Sequence, residues 1–175
     1  MSDHSAKPEL EPELDVARIL AAFRKHEVHY VVIGGFAALL YGSPYVTSDV
    51  DIVPERGKVN LERLSDALRE LNARVWTSTE PTGVAFDHDG RSLGAVDVWS
   101  LVTDAGRLDI TFSPSGTAGF DDLSRDAEPM AVLDVPANVA SLADVIRSKE
   151  AAGRDKDRLV LPVLRQILEE TNRSD

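Results

Sequence analysis

Two aspartates flanking one apolar residue, in Thr47-Ser48-Asp49-Val50-Asp51-Ile52-Val53, are the residues of this chain best suited to chemistry. On an extended strand Asp49 and Asp51 point to one face while Val50 and Ile52 point to the other. Their Cβ atoms then stand about 7 Å apart, so the carboxylates repel unless a cation lies between them. Hard oxygen donors at that spacing suit Mg²⁺, and a divalent-metal site is the first reading. A half-exposed edge strand with both acids in water fits the same residues.

The context is what favours the metal. Thirteen residues before Thr47 the chain carries Gly34-Gly35 at the end of a β-rich run, residues 28 to 33, and residues 36 to 41 are helix-like and close on Gly42-Ser43-Pro44. A glycine pair opening a helix lets backbone N–H groups approach phosphate oxygens, with the positive end of the helix dipole behind them. A plain turn is the alternative. Strand, glycine pair, helix, turn and acidic strand together supply a phosphate cradle and metal ligands, the two requirements of phosphoryl or nucleotidyl transfer.

The remaining elements must position that constellation. Apolar spacing predicts helices over 13 to 26 and 59 to 71 and strands over 73 to 77, 96 to 102 and 107 to 112, the last two joined by Thr103-Asp104-Ala105-Gly106. In the last strand Leu108, Ile110 and Phe112 share a face, and Asp109 projects alone from the other. Asp97, also on an apolar strand, is its rival as a third carboxylate. A short helix over 120 to 127 and one or two brief strands follow. Ser141 with Asp144 caps a helix, and a second runs over 154 to 170 with a kink or break expected at Pro162. The pattern is an α+β domain, with a mixed or antiparallel sheet of about five strands flanked by helices. Residues 1 to 11 read as a flexible acidic leader and 12 to 175 as one domain, its C-terminal helices starting near 141.

Composition narrows the chemistry. The 175 residues are 43% hydrophobic and 28% charged, which is globular, with no apolar run long enough for a membrane span and no signal-like leader, so a cytoplasmic protein is expected. With no cysteine and with His4, His26, His29 and His88 lacking ligand spacing, a metal would rest on carboxylates. The net charge of -11 weighs against broad affinity for nucleic-acid backbones, and no DNA partner is expected. Residues 147 to 165 are the local exception, with six bases against three acids. Such a run is either a solvated helix face or a polyphosphate contact.

On these residues the chain resembles the nucleotidyltransferase superfamily that includes DNA polymerase β: a strand, two glycines, a helix, D-x-D on the next strand and a third acid on a later one. Here these are Val31-Val32-Ile33-Gly34-Gly35, Asp49-Val50-Asp51 and Asp109 within Arg107-Leu108-Asp109-Ile110. Within the superfamily it looks most like the AbiEii-like nucleotidyltransferases, through Pro44-Tyr45-Val46-Thr47-Ser48-Asp49-Val50-Asp51, Ser141 to Lys149, and Arg154-Asp155-Lys156-Asp157. That family includes toxin components of bacterial toxin–antitoxin pairs, so an antitoxin joins the expected partners. Tyr45 departs from the pattern, which usually has Arg there.

The resemblance implies that Asp49, Asp51 and Asp109 bind two Mg²⁺ ions and that Gly34 and Gly35 contact the phosphates of an NTP. Lys149 and Arg154 would face the triphosphate or pair with acids such as Glu150 and Asp157, and Thr47 and Ser48 would shape the entry. Trp76, Trp99 and Phe86 would stack a base or sit in the core. The implied reaction transfers a nucleoside monophosphate to an acceptor hydroxyl, at a tRNA end or on a protein. Two alternatives stand beside it: modification of a small molecule of the aminoglycoside kind, and a nucleotide-binding or partner-binding module without catalysis.

Overall fold

The computed structural model describes residues 10 to 175, so most of the expected leader lies outside the described residues. Its last residue is tied down: Glu11 accepts a hydrogen bond from Trp76 Nε1 at 2.5 Å. The first helix, α1 (Val16–Lys25), starts later than its apolar pattern because Asp15 caps it, accepting from Arg18 N at 3.0 Å. Its buried stripe of Val16, Ile19, Leu20 and Phe23 lies against the core. Each such fully buried side chain contributes roughly 1.5–3 kcal/mol relative to exposure.

β1 (Tyr30–Ile33) is buried along its whole length and passes directly into α2 (Gly34–Leu40). β2 (Asp49–Pro54) alternates half-buried acids with the buried Val50 and Ile52, then α3 (Lys58–Glu70) leads to β3 (Arg74–Val75). A helical turn, α4 (Gly90–Gly94), precedes β4 (Val98–Thr103) and β5 (Gly106–Thr111), and α5 (Phe120–Leu123) follows them. β6 (Glu128–Val132) and β7 (Val135–Val139) form a hairpin, and α6 (Leu142–Ala152) and α7 (Asp155–Ser174) end the chain.

Among the described residues the sheet has seven strands in the order β3-β4-β5-β2-β1-β7-β6, against about five expected. The β6–β7 hairpin accounts for the difference. It turns at Leu133 and Asp134, whose φ angles of 48° and 68° suit a two-residue primed turn but whose residue types do not announce one. The sheet is mixed. β2 is antiparallel to β1 and parallel to β5, which places Asp51 opposite Asp109 and Asp49 opposite Arg107. α7 continues through Pro162 without the expected break, with Pro162 exposed on the helix surface.

Candidate active site

Register brings the carboxylates together. Because β2 and β5 are parallel and in step, the alternation that puts Asp49 and Asp51 on one face puts Asp109 on that face too. Each of the three offers an oxygen atom, and these atoms lie within 4.8 Å of one another. Asp97, the rival third acid, is instead half-exposed just ahead of β4 and paired with Arg56 at 2.7 Å.

The electrostatics of the cluster call for a cation. Burial, then the charges of Asp49 and Asp109, push the Asp51 carboxyl up to about 7, although Lys156 and Lys149 pull it the other way. Burial and the Asp49 charge also raise Asp109. Asp109 Oδ1 is buried and has no hydrogen-bond partner. Arg107 lies 3.7 Å from it, an ion-pair distance too long for a hydrogen bond. An orphaned carboxylate oxygen among three like charges is what a divalent cation with oxygen ligands would satisfy, so these residues fit such an ion.

The glycine pair sits over the acids. Gly34 has φ of +75°, and a Cβ there would run into the Asp51 carboxylate, so this position requires glycine twice over. At Gly35 a Cβ would meet Thr47 Oγ1 at 3.3 Å. Thr47 donates to Asp49 Oδ1 at 2.9 Å and fixes the orientation of that acid. Ser48 is exposed beside it.

Opposite them stand α6 and α7. A cleft of about 630 Å³ is lined by Gly34, Gly35, Thr47, Ser48 and the three acids on one side and by Lys149, Arg154 and Lys156 on the other. The basic run thus divides. Arg147 ties α6 to α5 through Asp122 at 3.0 Å and also meets Asp144, while Arg165 pairs with Glu150 at 2.7 Å. Lys149 and Arg154 face the cleft and also share one partner. Asp157 is fully buried, accepts from Arg154 Nε at 2.7 Å and lies 3.5 Å from Lys149 Nζ. The two expected roles of these cations, cleft lining and ion pairing, coexist.

Sequence reasoning passed over Lys156 and Asp157 as site residues. Their signal was present in Arg154-Asp155-Lys156-Asp157, where a helix beginning at Asp155 puts Lys156 toward the cleft and Asp157 inward. None of the three aromatics offered for base stacking lines the cleft. Trp99 donates to Leu93 O and stacks on Phe86, and Trp76 lies under Arg107.

Two solved structures share this architecture. A provisionally named nucleotidyltransferase from Thermotoga maritima superposes with a TM-score of 0.54 at 17% identity, covering 89% of this chain and 91% of its own. The lincosamide antibiotic adenylyltransferase LnuA, solved with lincomycin bound, superposes with a TM-score of 0.58 at 14% identity, covering 89% of this chain and 99% of its own. The fold is that of the nucleotidyltransferases. No protein-family model matches the chain, and no curated protein matches it in sequence. Within the nucleotidyltransferase fold the described residues carry a clustered acid triad on β2 and β5, a glycine with left-handed backbone at the start of α2, and cations on the facing helices.

Proposed function

We propose that this chain is an Mg²⁺-dependent nucleotidyltransferase that moves a nucleoside monophosphate from an NTP to an acceptor hydroxyl. The observation that carries the reading is the joint placement, around one cleft, of three mutually close carboxylates, a Gly-Gly helix start and the Lys149, Arg154 and Lys156 cations. Asp49, Asp51 and Asp109 would hold the metal, two ions in the reading adopted here. Bound Mg²⁺ supplies charge neutralisation of the triphosphate and a lowered pKa for the attacking hydroxyl.

The chain's own residues do the rest. Backbone N–H groups at Gly34 and Gly35 and the cations on α6 and α7 hold the β- and γ-phosphates and so fix the α-phosphorus over the acids. The acceptor oxygen bonds to that phosphorus, the bond to the bridging oxygen of the β-phosphate breaks, and pyrophosphate leaves. Asp109, whose carboxyl is raised above the usual carboxylate range by burial and by the Asp49 charge and so made more basic, is placed to help accept the hydroxyl proton. Positioning and electrostatics suffice, so the lack of cysteine and of any histidine in the cleft lining is no obstacle.

For the acceptor, the motif resemblance in Pro44 to Asp51 and Ser141 to Asp157 supports an RNA end or a protein hydroxyl, in a toxin whose partner is an antitoxin. A small-molecule acceptor is the second reading. It is favoured by the net charge of -11, which draws cationic compounds, and by the match across 99% of the lincosamide adenylyltransferase. The test is incubation with labelled NTPs and Mg²⁺ against total RNA, cell lysate, and aminoglycoside and lincosamide panels, scored for labelled product and pyrophosphate. Labelling that survives the Asp49→Asn/Asp51→Asn double variant would refute the assignment.

A further inference from the structure

Between the glycine pair and the acid strand, the loop at 43–48 is pinned at both ends and left bare in the middle. Ser43 is buried and donates its backbone N–H to Ala38 O at 3.0 Å, which ties the loop to the helix that Gly34-Gly35 opens. Its hydroxyl accepts from Tyr45 N at 3.3 Å. At the far end Thr47 is bonded to Asp49. The residues between these anchors put large apolar side chains into solvent: Tyr45 is 47% exposed and Val46 91%. Leu159, 67% exposed, lines the same cleft from α7.

This rim adjoins the proposed phosphate site. Leu159 follows Arg154 by five residues, about 7.5 Å of helical rise, and follows Lys156 by a single turn. Tyr45 precedes Asp49 by four residues. Tyr45, Val46 and Leu159 line the same cleft as the cations, so the base of a nucleotide whose phosphates those cations hold has an aromatic ring and two aliphatic side chains within that cleft to contact. None of these three carries a charge that would suit a further phosphate, and the two aliphatic ones offer no hydrogen-bonding group to read a base edge. Other large apolar residues are exposed singly, among them Val59, Leu133 and Leu10, but Tyr45, Val46 and Leu159 line one polar cleft together, and that grouping suits a flat, weakly polar ligand.

The geometry points to Tyr45, Val46 and Leu159 as the nucleobase platform, with Tyr45 stacking on the base of the incoming NTP. The inference rests on the nucleotidyltransferase reading and names a substrate subsite within it. It gives Tyr45 a positive role where the related pattern has Arg: contact with the base in place of the phosphate. Stacking tolerates any base but scales with ring area, so purine nucleotides bind better than pyrimidine ones, with little preference between adenine and guanine.

Calorimetry on the full chain in Mg²⁺ tests this with non-hydrolysable ATP and CTP analogues and with inorganic triphosphate, which has the phosphates and lacks the base. Tyr45→Ala should weaken the ATP analogue roughly tenfold and leave inorganic triphosphate unchanged. Tyr45→Phe should match the parent, and Leu159→Ser should show a smaller loss confined to the nucleotide. Equal weakening of both ligands by Tyr45→Ala, or no weakening of the nucleotide, overturns the platform while the phosphate site stands. If the parent protein binds neither ligand, the nucleotidyltransferase reading falls, and the platform with it.

Discussion

Asp51 is the residue on which protonation, metal and stability converge. Burial and its two acidic neighbours raise its carboxyl to about 7 in the folded chain, against about 4 for an unfolded aspartate. A folded-state value above the unfolded one means the folded chain holds the extra proton. The stability this contributes is fully present below about pH 4 and is lost as pH rises through about 7. Without metal, therefore, the melting temperature should drop between about pH 5 and about pH 8 on this account, and MgCl₂ should restore several degrees at the higher pH and little at the lower. An Mg²⁺ effect equal at both pH values would contradict the triad as a metal site. Asp51→Asn should raise the melting temperature measured in EDTA at about pH 8 while costing turnover roughly a thousandfold. A variant that melts lower in EDTA, or keeps its turnover, would count against the assigned role.

At the scale of elements, the join between β1 and α2 and the start of α7 each carry one residue that few substitutions should survive. Gly34→Ala forces a left-handed φ on alanine and drives its Cβ into the Asp51 carboxylate. It should cost roughly 1–3 kcal/mol in urea unfolding and weaken Mg²⁺ binding as well. Gly35→Ala needs only a few tenths of an ångström of movement by Thr47 and should be milder on both. On α7, Asp157 positions Lys149 and Arg154 and accepts from Arg154 N at 3.2 Å, so it also serves the helix start. Asp157→Asn keeps the shape and removes the charge. It should raise the KM for NTP about tenfold with Mg²⁺ affinity unchanged, and loss of both together would mean a general collapse of the site rather than a positioning role. These two residues also mark how far local sequence reading reached. Gly34 was legible because a glycine pair between an apolar strand and a helix is a local signal. Asp157 was legible only as one of several acids that could pair with these cations, because an acid in a charged run looks the same whether it faces solvent or is buried against Lys149 and Arg154.

The whole molecule places the acid strands at the middle of the sheet, with β5, β2 and β1 flanked on both sides and the short β3 and the exposed β6 at its edges. An edge strand bearing Glu128 and Pro129 resists pairing with another chain, while the centre is locked by its neighbours. Hydrogen exchange should show this gradient: amides of Val50, Ile52, Leu108 and Ile110 slowest, those of 128–132 among the fastest strand amides. Fast exchange in β2 would mean that the acid triad is not held on a rigid frame. Most elements were readable from periodicity, since helices and half-buried strands repeat their apolar residues at 3.6 and 2. The β6–β7 hairpin was blurred because Leu133 and Asp134 make its turn without glycine or asparagine. Of the kink or break expected at Pro162, the break does not occur, because its surface position leaves the missing hydrogen bond to face water.

The amino-acid sequence by itself determined the acid pair on a strand, the glycine turn before it and the concentration of cations near the C-terminus, because each depends on neighbours a few residues apart. Only the tertiary structure decided that Asp109 and not Asp97 completes the triad. That choice follows from the parallel register of β2 with β5, which pairs residues 58 positions apart, Asp51 with Asp109. It decided likewise which cations face the cleft and that Tyr45, Val46 and Leu159 line that same cleft. These are contacts between distant segments, set by how the sheet and its covering helices pack, and no local pattern encodes them.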